Sequence, residues 1–100
     1  MPYRVQLERA ELDRGDRVFV LPATSAWLAV EGAEPGRWTL ELHFRPPIAT
    51  PYPINTRRLV ARMVSTQGRE WRGDVFVVAL PPGRVREIVF TGVSRLQEPP

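Results

Sequence analysis

The sequence predicts an all-β domain, a small antiparallel β-sandwich or β-barrel of seven to eight strands. Three observations support this prediction. Apolar and polar residues alternate along many short runs, β-branched and aromatic residues are frequent in these runs, and turn residues separate them at even intervals. Evenly spaced short strands are typical of sandwiches and barrels. A chain of 100 residues corresponds to one domain, here residues 1–100 with a short tail at 97–100.

The alternation is clearest in "RWTLELHF" (37–44), where Trp38, Leu40 and Leu42 fall on one face of the predicted strand. A weak helical pattern covers residues 8–13. The remaining runs have the same character. The other predicted strands are 3–9, 17–21, 26–31, 58–65, 75–80 and 85–92, with 93–97 as an eighth.

Turn residues mark the ends of the predicted strands. Proline followed by glycine sets the turn dihedral angles in both "EPGR" and "PPGR". In "STQGRE", between two alternating runs, Gly68 at positive φ predicts a hairpin. The predicted turns are 13–16, 32–37, 65–70 and 81–84.

The tripeptide Arg-Gly-Asp occurs twice, at 14–16 and 72–74, each time before an apolar run that ends in proline. We interpret both copies as folding elements, in which glycine supplies a tight turn or bulge and aspartate bonds nearby backbone amides. The alternative, adhesion to a receptor, requires an exposed loop, whereas the second copy lies inside a strand-like run. The residues assigned to turns or bulges are Gly15, Asp16, Gly73 and Asp74.

A proline-rich segment, residues 45–57, interrupts the pattern of strands. It holds four prolines, which cannot donate to a ladder, and three apolar side chains that favour burial. Two interpretations are open: an arm that contacts a neighbouring subunit, or a crossover that folds over its own sheet. In the first, flanking arginines pair with acids across the contact. The residues predicted to form that interface are Ile48, Tyr52, Ile54, Arg57 and Arg58.

Candidate catalytic and metal-binding residues are few. His43 is the one histidine, and Glu41 lies two residues away on the same polar face. We interpret them as a surface pair, because the sequence specifies no nucleophile to act with them. The chain has no cysteine and no phosphate-binding glycine loop. We therefore expect no catalytic residue, no metal site and no cofactor, and a protein that is not an enzyme.

The basic residues are all arginine, which indicates a genome of high GC content or a thermophilic source. They are unevenly placed: the first fifty residues hold six arginines and seven acids, and the last fifty hold eight arginines and four acids. A basic β-barrel with exposed aromatic rings is one way to bind single-stranded nucleic acid. The residues of this alternative are Arg57, Arg58, Arg62, Arg69, Trp71 and Arg72.

Residues 71–96, "WRGDVFVVALPPGRVREIVFTGVSRL", with residues 55–70 before them, resemble the C-terminal half of small phage virion β-proteins. Head–tail connector, tail and capsid-decoration subunits belong to this group. The resemblance lies in a hairpin followed by a glycine-containing strand. It implies a non-enzymatic structural or assembly subunit, whose partners are itself or other particle subunits. A nucleic-acid-binding β-barrel is the alternative, and a carbohydrate- or peptide-binding module is the third hypothesis.

The chain shows no membrane or secretion pattern. Its apolar runs are far shorter than the ~18 residues of a transmembrane span. The first residues, "MPYRVQLERAELDRGD", lack the apolar region of a signal peptide. The expected location is therefore the virion, if the protein belongs to a phage, and otherwise the cytoplasm, with no membrane partner.

Overall fold

A computed structural model of the chain describes residues 2–21, 23–31, 37–49, 57–77 and 83–99. These residues form seven β-strands. In the described ranges, no helix is long and apolar enough to cross a membrane. The strands are β1 (Tyr3–Asp13), β2 (Val18–Val20), β3 (Ser25–Glu31), β4 (Arg37–Ala49), β5 (Arg57–Ser65), β6 (Glu70–Val77) and β7 (Arg84–Thr91).

The strands form one antiparallel sheet, which confirms the all-β prediction. The strand order is β6-β5-β1-β3-β4-β7, and the short β2 pairs with the second half of β1. The sheet curls into a half-barrel. Two isolated bridges, Val75 with Gly92 and Arg72 with Gln97, bring the chain after β7 against β6 on the open side. The fold is therefore a small, partly closed barrel.

The core fills the inside of the curled sheet, as the alternation predicts. Along β4, every second residue from Trp38 to Phe44 is buried. Leu12, Leu28 and Met63 reach the same core from the other strands and are fully buried. Burial of one such side chain stabilises the folded state by about 1.5–3 kcal/mol. The inner face of the sheet therefore holds the domain together, and the outer face carries the side chains that solvent can reach.

Trp38 packs between two glycines that lie at the closing point of the barrel. A Cβ atom on Gly73 would lie 2.5 Å from Cζ2 of Trp38, and one on Gly92 would lie 2.1 Å from Cε2. Both distances are too short for carbon atoms, so only glycine fits at these positions without movement of the indole. The indole Nε1 donates a hydrogen bond to the carbonyl oxygen of Ser94 at 2.9 Å. One side chain of β4 thereby joins β6 to the segment after β7.

The segment 93–97 was predicted as an eighth strand, and the structure corrects this. It makes backbone contacts to β6 at separate points instead of a continuous ladder. Arg72 and Gln97 each donate a backbone hydrogen bond to the other, at 3.0 and 2.7 Å. The backbone N–H of Asp74 donates to Oγ of Ser94 at 2.8 Å. Bonds to a serine side chain take the place of ladder bonds because the segment bends at this point.

Beyond this segment, the predicted tail (97–100) is described as far as residue 99 and lies close to β1. Leu96 is buried in the core. The hydroxyl of Tyr3 donates a hydrogen bond to Oε1 of Glu98 at 3.2 Å. Burial raises the pKa of Tyr3, and the bond to Glu98 raises it further. The hydrogen bond attaches the tail to the first strand, and Leu96 anchors the segment before it in the core.

The helical pattern at 8–13 is a wrong prediction, because these residues belong to β1. The register of β1 against β5 shifts between Leu7 and Arg9. An extra residue at a bulge changes which side chains face inward. Leu7, Ala10 and Leu12 are all buried as a result. The spacing of Leu7, Ala10 and Leu12 therefore results from one bulge followed by ordinary strand alternation. Over this short stretch it resembles the spacing of apolar residues in a helix.

The proline-rich segment was expected to lie outside the strands, and this is wrong for its first part. β4 continues through Pro46 and Pro47 to Ala49. Its register against β7 shifts between His43 and Ile48. The prolines lie in this irregular stretch, where the ladder does not need their missing N–H groups. The Arg45–Pro46 peptide bond is cis. Residues 50–56 lie outside the described part.

The two Arg-Gly-Asp copies differ in structure. Gly15 lies in the turn between β1 and β2 with φ of 101°. Its N–H donates to Oδ1 of Asp13, and Asp16 pairs with the side chain of Arg14. Gly73 was predicted to be a turn or bulge, and this is wrong. It lies inside β6 in regular register opposite Ala61, and its φ is not positive.

Candidate functional site

The outer surface of β2, β1, β5 and β6 is called here the β2–β1–β5–β6 face. Residues directly opposite each other in antiparallel strands share a face. Asp13 lies opposite Val18 on one side and Val60 on the other, and Val60 lies opposite Asp74. Four adjacent strands therefore place these side chains in one row across the outside of the barrel.

Four apolar side chains of this face are exposed to solvent. Val18 and Val20 on β2 are 50% and 54% exposed, and Val60 on β5 is 37% exposed. Phe76 on β6 is 44% exposed. Leu59, Ala61 and Val75, next to Val60 and Phe76 in the chain, are buried, so the exposed residues follow from strand alternation. Exposed apolar groups are one of the features by which binding surfaces are recognised.

The described arginines of the same face are paired with acids within the chain. The partners lie on the same strand or on neighbouring strands, at distances that allow ion pairs. Such exposed pairs contribute little to stability, but they cancel the charge of the surface. The pairs are Arg58–Asp74 at 2.7 Å, Arg62–Glu70 at 3.4 Å, Arg72–Glu70 at 3.5 Å and Arg62–Glu11 at 3.8 Å.

The residues predicted for nucleic-acid binding do not form an open basic surface with a stacking ring. Trp71 is only 5% exposed, which contradicts its predicted role as a stacking platform. Arg69 lies over its ring at 5.7 Å. Arg58, Arg62 and Arg72 are each paired with an acid. The backbone of Arg57 pairs in β5, and its side chain lies outside the described part.

Of the residues predicted for an inter-subunit arm, some contact their own chain and others lie outside the described part. Ile48 is half-buried and packs against the chain's own core, and its role in an interface stays a prediction. Arg58 pairs with Asp74 of its own chain. Tyr52 and Ile54 lie outside the described residues, where the arm stays a prediction.

A second outer region lies on the other side of the barrel, where β3, β4 and β7 adjoin. A cleft of about 720 Å³ opens beside the irregular end of β4. The cleft has the aromatic residues Trp27 and Phe44 and several hydrogen-bonding groups in its wall. Its lining includes Thr24, Ser25, Trp27, His43, Arg86 and Glu87.

Three potential metal ligands meet at the edge of this cleft. The structure brings Glu87 of β7 directly opposite His43 of β4. One ligand atom each from Glu41, His43 and Glu87 lie within 4.8 Å of one another. Nε2 of His43 is 3.8 Å from Oε1 of Glu41, and Arg4 contacts the same Glu41 oxygen at 3.2 Å. The sequence analysis predicted no metal site. It did not include Glu87, because only the pairing of β4 with β7 brings this residue near His43.

A serine also lies beside this histidine. Ser25 on β3 is directly opposite His43, so the row Ser25, His43, Glu87 crosses three strands. A nucleophile and its base need to lie within about 2.6–3.2 Å of each other. Among the described contacts, no hydrogen bond joins Ser25 to His43. The row therefore has the residue types of a catalytic triad without its geometry.

Comparison of the chain with family models, with curated proteins and with solved structures gave no match.

Proposed function

We propose that the protein is a non-enzymatic assembly subunit that binds a second copy of itself through the β2–β1–β5–β6 face. The observation that carries this proposal is the group of four exposed apolar side chains on a face where Arg58, Arg62 and Arg72 are paired with acids. Protein interfaces combine apolar residues with polar ones, and this face offers both.

The charge of the face favours a protein partner over nucleic acid. Binding to nucleic acid depends on unpaired cations that replace the counterions of the phosphates. Arg58, Arg62 and Arg72 already have carboxylate partners at 2.7–3.5 Å. Contact with phosphates would require these pairs to open, whereas contact with an apolar surface would leave them in place.

A second copy is the partner that this face fits by symmetry. In a two-fold interface the same surface meets itself, so it must offer both charges as well as an apolar patch. Glu11, Asp13 and Asp74 lie among Arg58 and Arg62 across the four strands. In such an interface the four exposed apolar side chains would be buried against the same face of the second copy.

The class of assembly is proposed from the sequence. Residues 55–96 resemble small phage virion β-proteins, which act through repeated contacts between like subunits. In the structure these residues contribute β5 and β6, two of the four strands of the face. A particle subunit of this type is therefore the form of assembly that we propose.

Sedimentation velocity of the full chain over a wide range of concentrations tests this function. We expect a monomer–dimer or higher equilibrium, and we expect Phe76→Ser to shift it toward monomer by about tenfold or more in dissociation constant. Val89→Ser is the matched control, because Val89 is 49% exposed but lies on β7, outside the face.

Three results would contradict the proposal. The chain could stay monomeric at all concentrations, or Val89→Ser could weaken association as much as Phe76→Ser. The third is tight binding of a single-stranded DNA oligonucleotide that decreases steeply with salt and leaves the chain monomeric, which would favour the nucleic-acid alternative.

A further inference from the structure

We propose that Glu41, His43 and Glu87 form a binding site for a divalent transition-metal ion, with Zn²⁺ as the probe. The site is separate from the β2–β1–β5–β6 face, and it does not depend on the function proposed above. One imidazole nitrogen and two carboxylates are ligands that zinc and its neighbours among the first-row metals accept.

The backbone holds the three ligand residues in place. Leu42 and Ile88, which pair with each other beneath the site, are both buried in the core. The paired strands therefore fix the positions of the Cα atoms of His43 and Glu87. Sites on paired strands are better defined than sites on loops.

The distances require only small side-chain movements. Tetrahedral zinc ligands at 2.0–2.2 Å from the metal lie about 3.4 Å from one another. The candidate ligand atoms lie within 4.8 Å, and Nε2 of His43 is 3.8 Å from Oε1 of Glu41. Glu87 is exposed, so its carboxylate can rotate inward by the ~1 Å that is needed.

The cleft would leave one side of the bound ion open to solvent. His43 and Glu87 both line the cleft of about 720 Å³. Three protein ligands leave at least one coordination position for water or an exogenous ligand, as in zinc sites that are not purely structural. The cleft provides the space for it, beside the hydroxyl groups of Thr24 and Ser25.

Arg4 competes with a metal ion for Glu41. Its Nη2 lies 3.2 Å from Oε1 of Glu41, and its guanidinium covers Trp27 at 4.7 Å. The side chain of Arg4 is 54% exposed, so it can leave the carboxylate at little cost. Removal of this cation should strengthen metal binding, since it removes both a competing partner and a nearby positive charge.

Isothermal titration calorimetry of the full chain with ZnCl₂ tests the site, supported by Co²⁺ absorption spectra and by NMR of the imidazole. The interpretation is direct because the chain has one histidine and no cysteine. We expect one saturable Zn²⁺ site that His43→Ala abolishes and Glu87→Gln weakens by about tenfold or more. Arg4→Gln should tighten binding, and Glu31→Gln, an exposed carboxylate at the end of β3, should leave it unchanged.

The variants are expected to fold, because none of the changed side chains belongs to the buried core. Thermal melts of each variant check this. Zinc binding that survives His43→Ala, or that Glu31→Gln weakens as much as Glu87→Gln, would overturn the proposal. So would the absence of saturable binding by a folded wild-type chain.

Discussion

The two Arg-Gly-Asp segments share a sequence but not a structure. At 14–16 the glycine has φ of 101° and open space around it, because no atom lies within 4 Å of a Cβ built there. At 72–74 the glycine has ordinary strand geometry, and a Cβ would collide with Trp38 at 2.5 Å. The first glycine is required for its backbone angle, the second for its lack of a side chain.

This difference separates two reasons for glycine that sequence alone does not distinguish. A positive φ strains any side chain regardless of its surroundings, and the effect is local and modest. A crowded position is strained by its neighbours, so the effect depends on the residue packed against it. The flanking charges differ as well: a hydrogen bond to Asp16 raises the pKa of Arg14, whereas Asp74 pairs with Arg58 of the next strand.

The largest effect is expected at the crowded glycines. Gly73→Ala should destabilise the domain by about 3 kcal/mol, since the new methyl group must displace the indole of Trp38 from a packed core. Gly92→Ala should be at least as severe, with a contact of 2.1 Å. Urea unfolding followed by circular dichroism measures both. If either variant loses less stability than Gly15→Ala, the indole moves freely, and crowding by Trp38 is not the reason for glycine at these positions.

The second prediction tests whether Trp38 is the cause. Trp38→Phe alone should reduce stability by about 2 kcal/mol, through lost volume and the lost hydrogen bond to Ser94. In the Trp38→Phe background, Gly73→Ala should have less than half of its effect in the wild type, because the ring atoms that it meets are gone. A double-mutant cycle measures this coupling. Additive losses would assign the glycine requirement to some other contact.

A smaller effect is expected at the turn. Gly15→Ala should destabilise by about 1 kcal/mol, because alanine is strained at positive φ although it has room. The same change in the Trp38→Phe background should have an unchanged effect, in contrast to Gly73→Ala. Coupling between Gly15 and Trp38 in the same unfolding experiment would contradict a purely local origin.

The smallest effect is expected at the second aspartate. Asp74→Asn removes the exposed pair with Arg58 but keeps the backbone hydrogen bond from Asp74 N–H to Ser94. The change should alter stability by less than about 0.5 kcal/mol. A thermal melt in low and high salt checks the result, since added salt should reduce even this small difference. A loss of more than about 1 kcal/mol in the free energy of unfolding would show that the carboxylate of Asp74 helps to hold β6 against the segment after β7.

The strands could be predicted because alternation is a local property. Trp38, Leu40 and Leu42 face the core as their spacing indicates, and Gly68 has positive φ in its hairpin turn. The same reasoning gave a wrong prediction at residues 8–13, because the extra residue at the β-bulge after Leu7 produces the spacing of a helix.

Features that depend on strand order could not be predicted. The role of Gly73 depends on Trp38, 35 positions away in the sequence, and the ligand cluster depends on Glu87 pairing with His43. The sequence contains both partners in each case, but not the pairing of β4 with β7 that joins His43 to Glu87 or the closure of the barrel that brings β6 to Trp38. The proline segment was misjudged for the same reason, because a register shift in that pairing is what accommodates Pro46 and Pro47.

The hydrogen bond from Trp38 to Ser94 has a consequence for the kinetics of folding. It joins residues 56 positions apart, and the barrel closes only when both have been brought together. Contacts of such long sequence separation slow folding, because the intervening chain loses entropy before the contact forms. Until that step, the indole and the edge of β6 are uncovered. We therefore expect a slow approach to the native state, with the open barrel as the species most prone to aggregate.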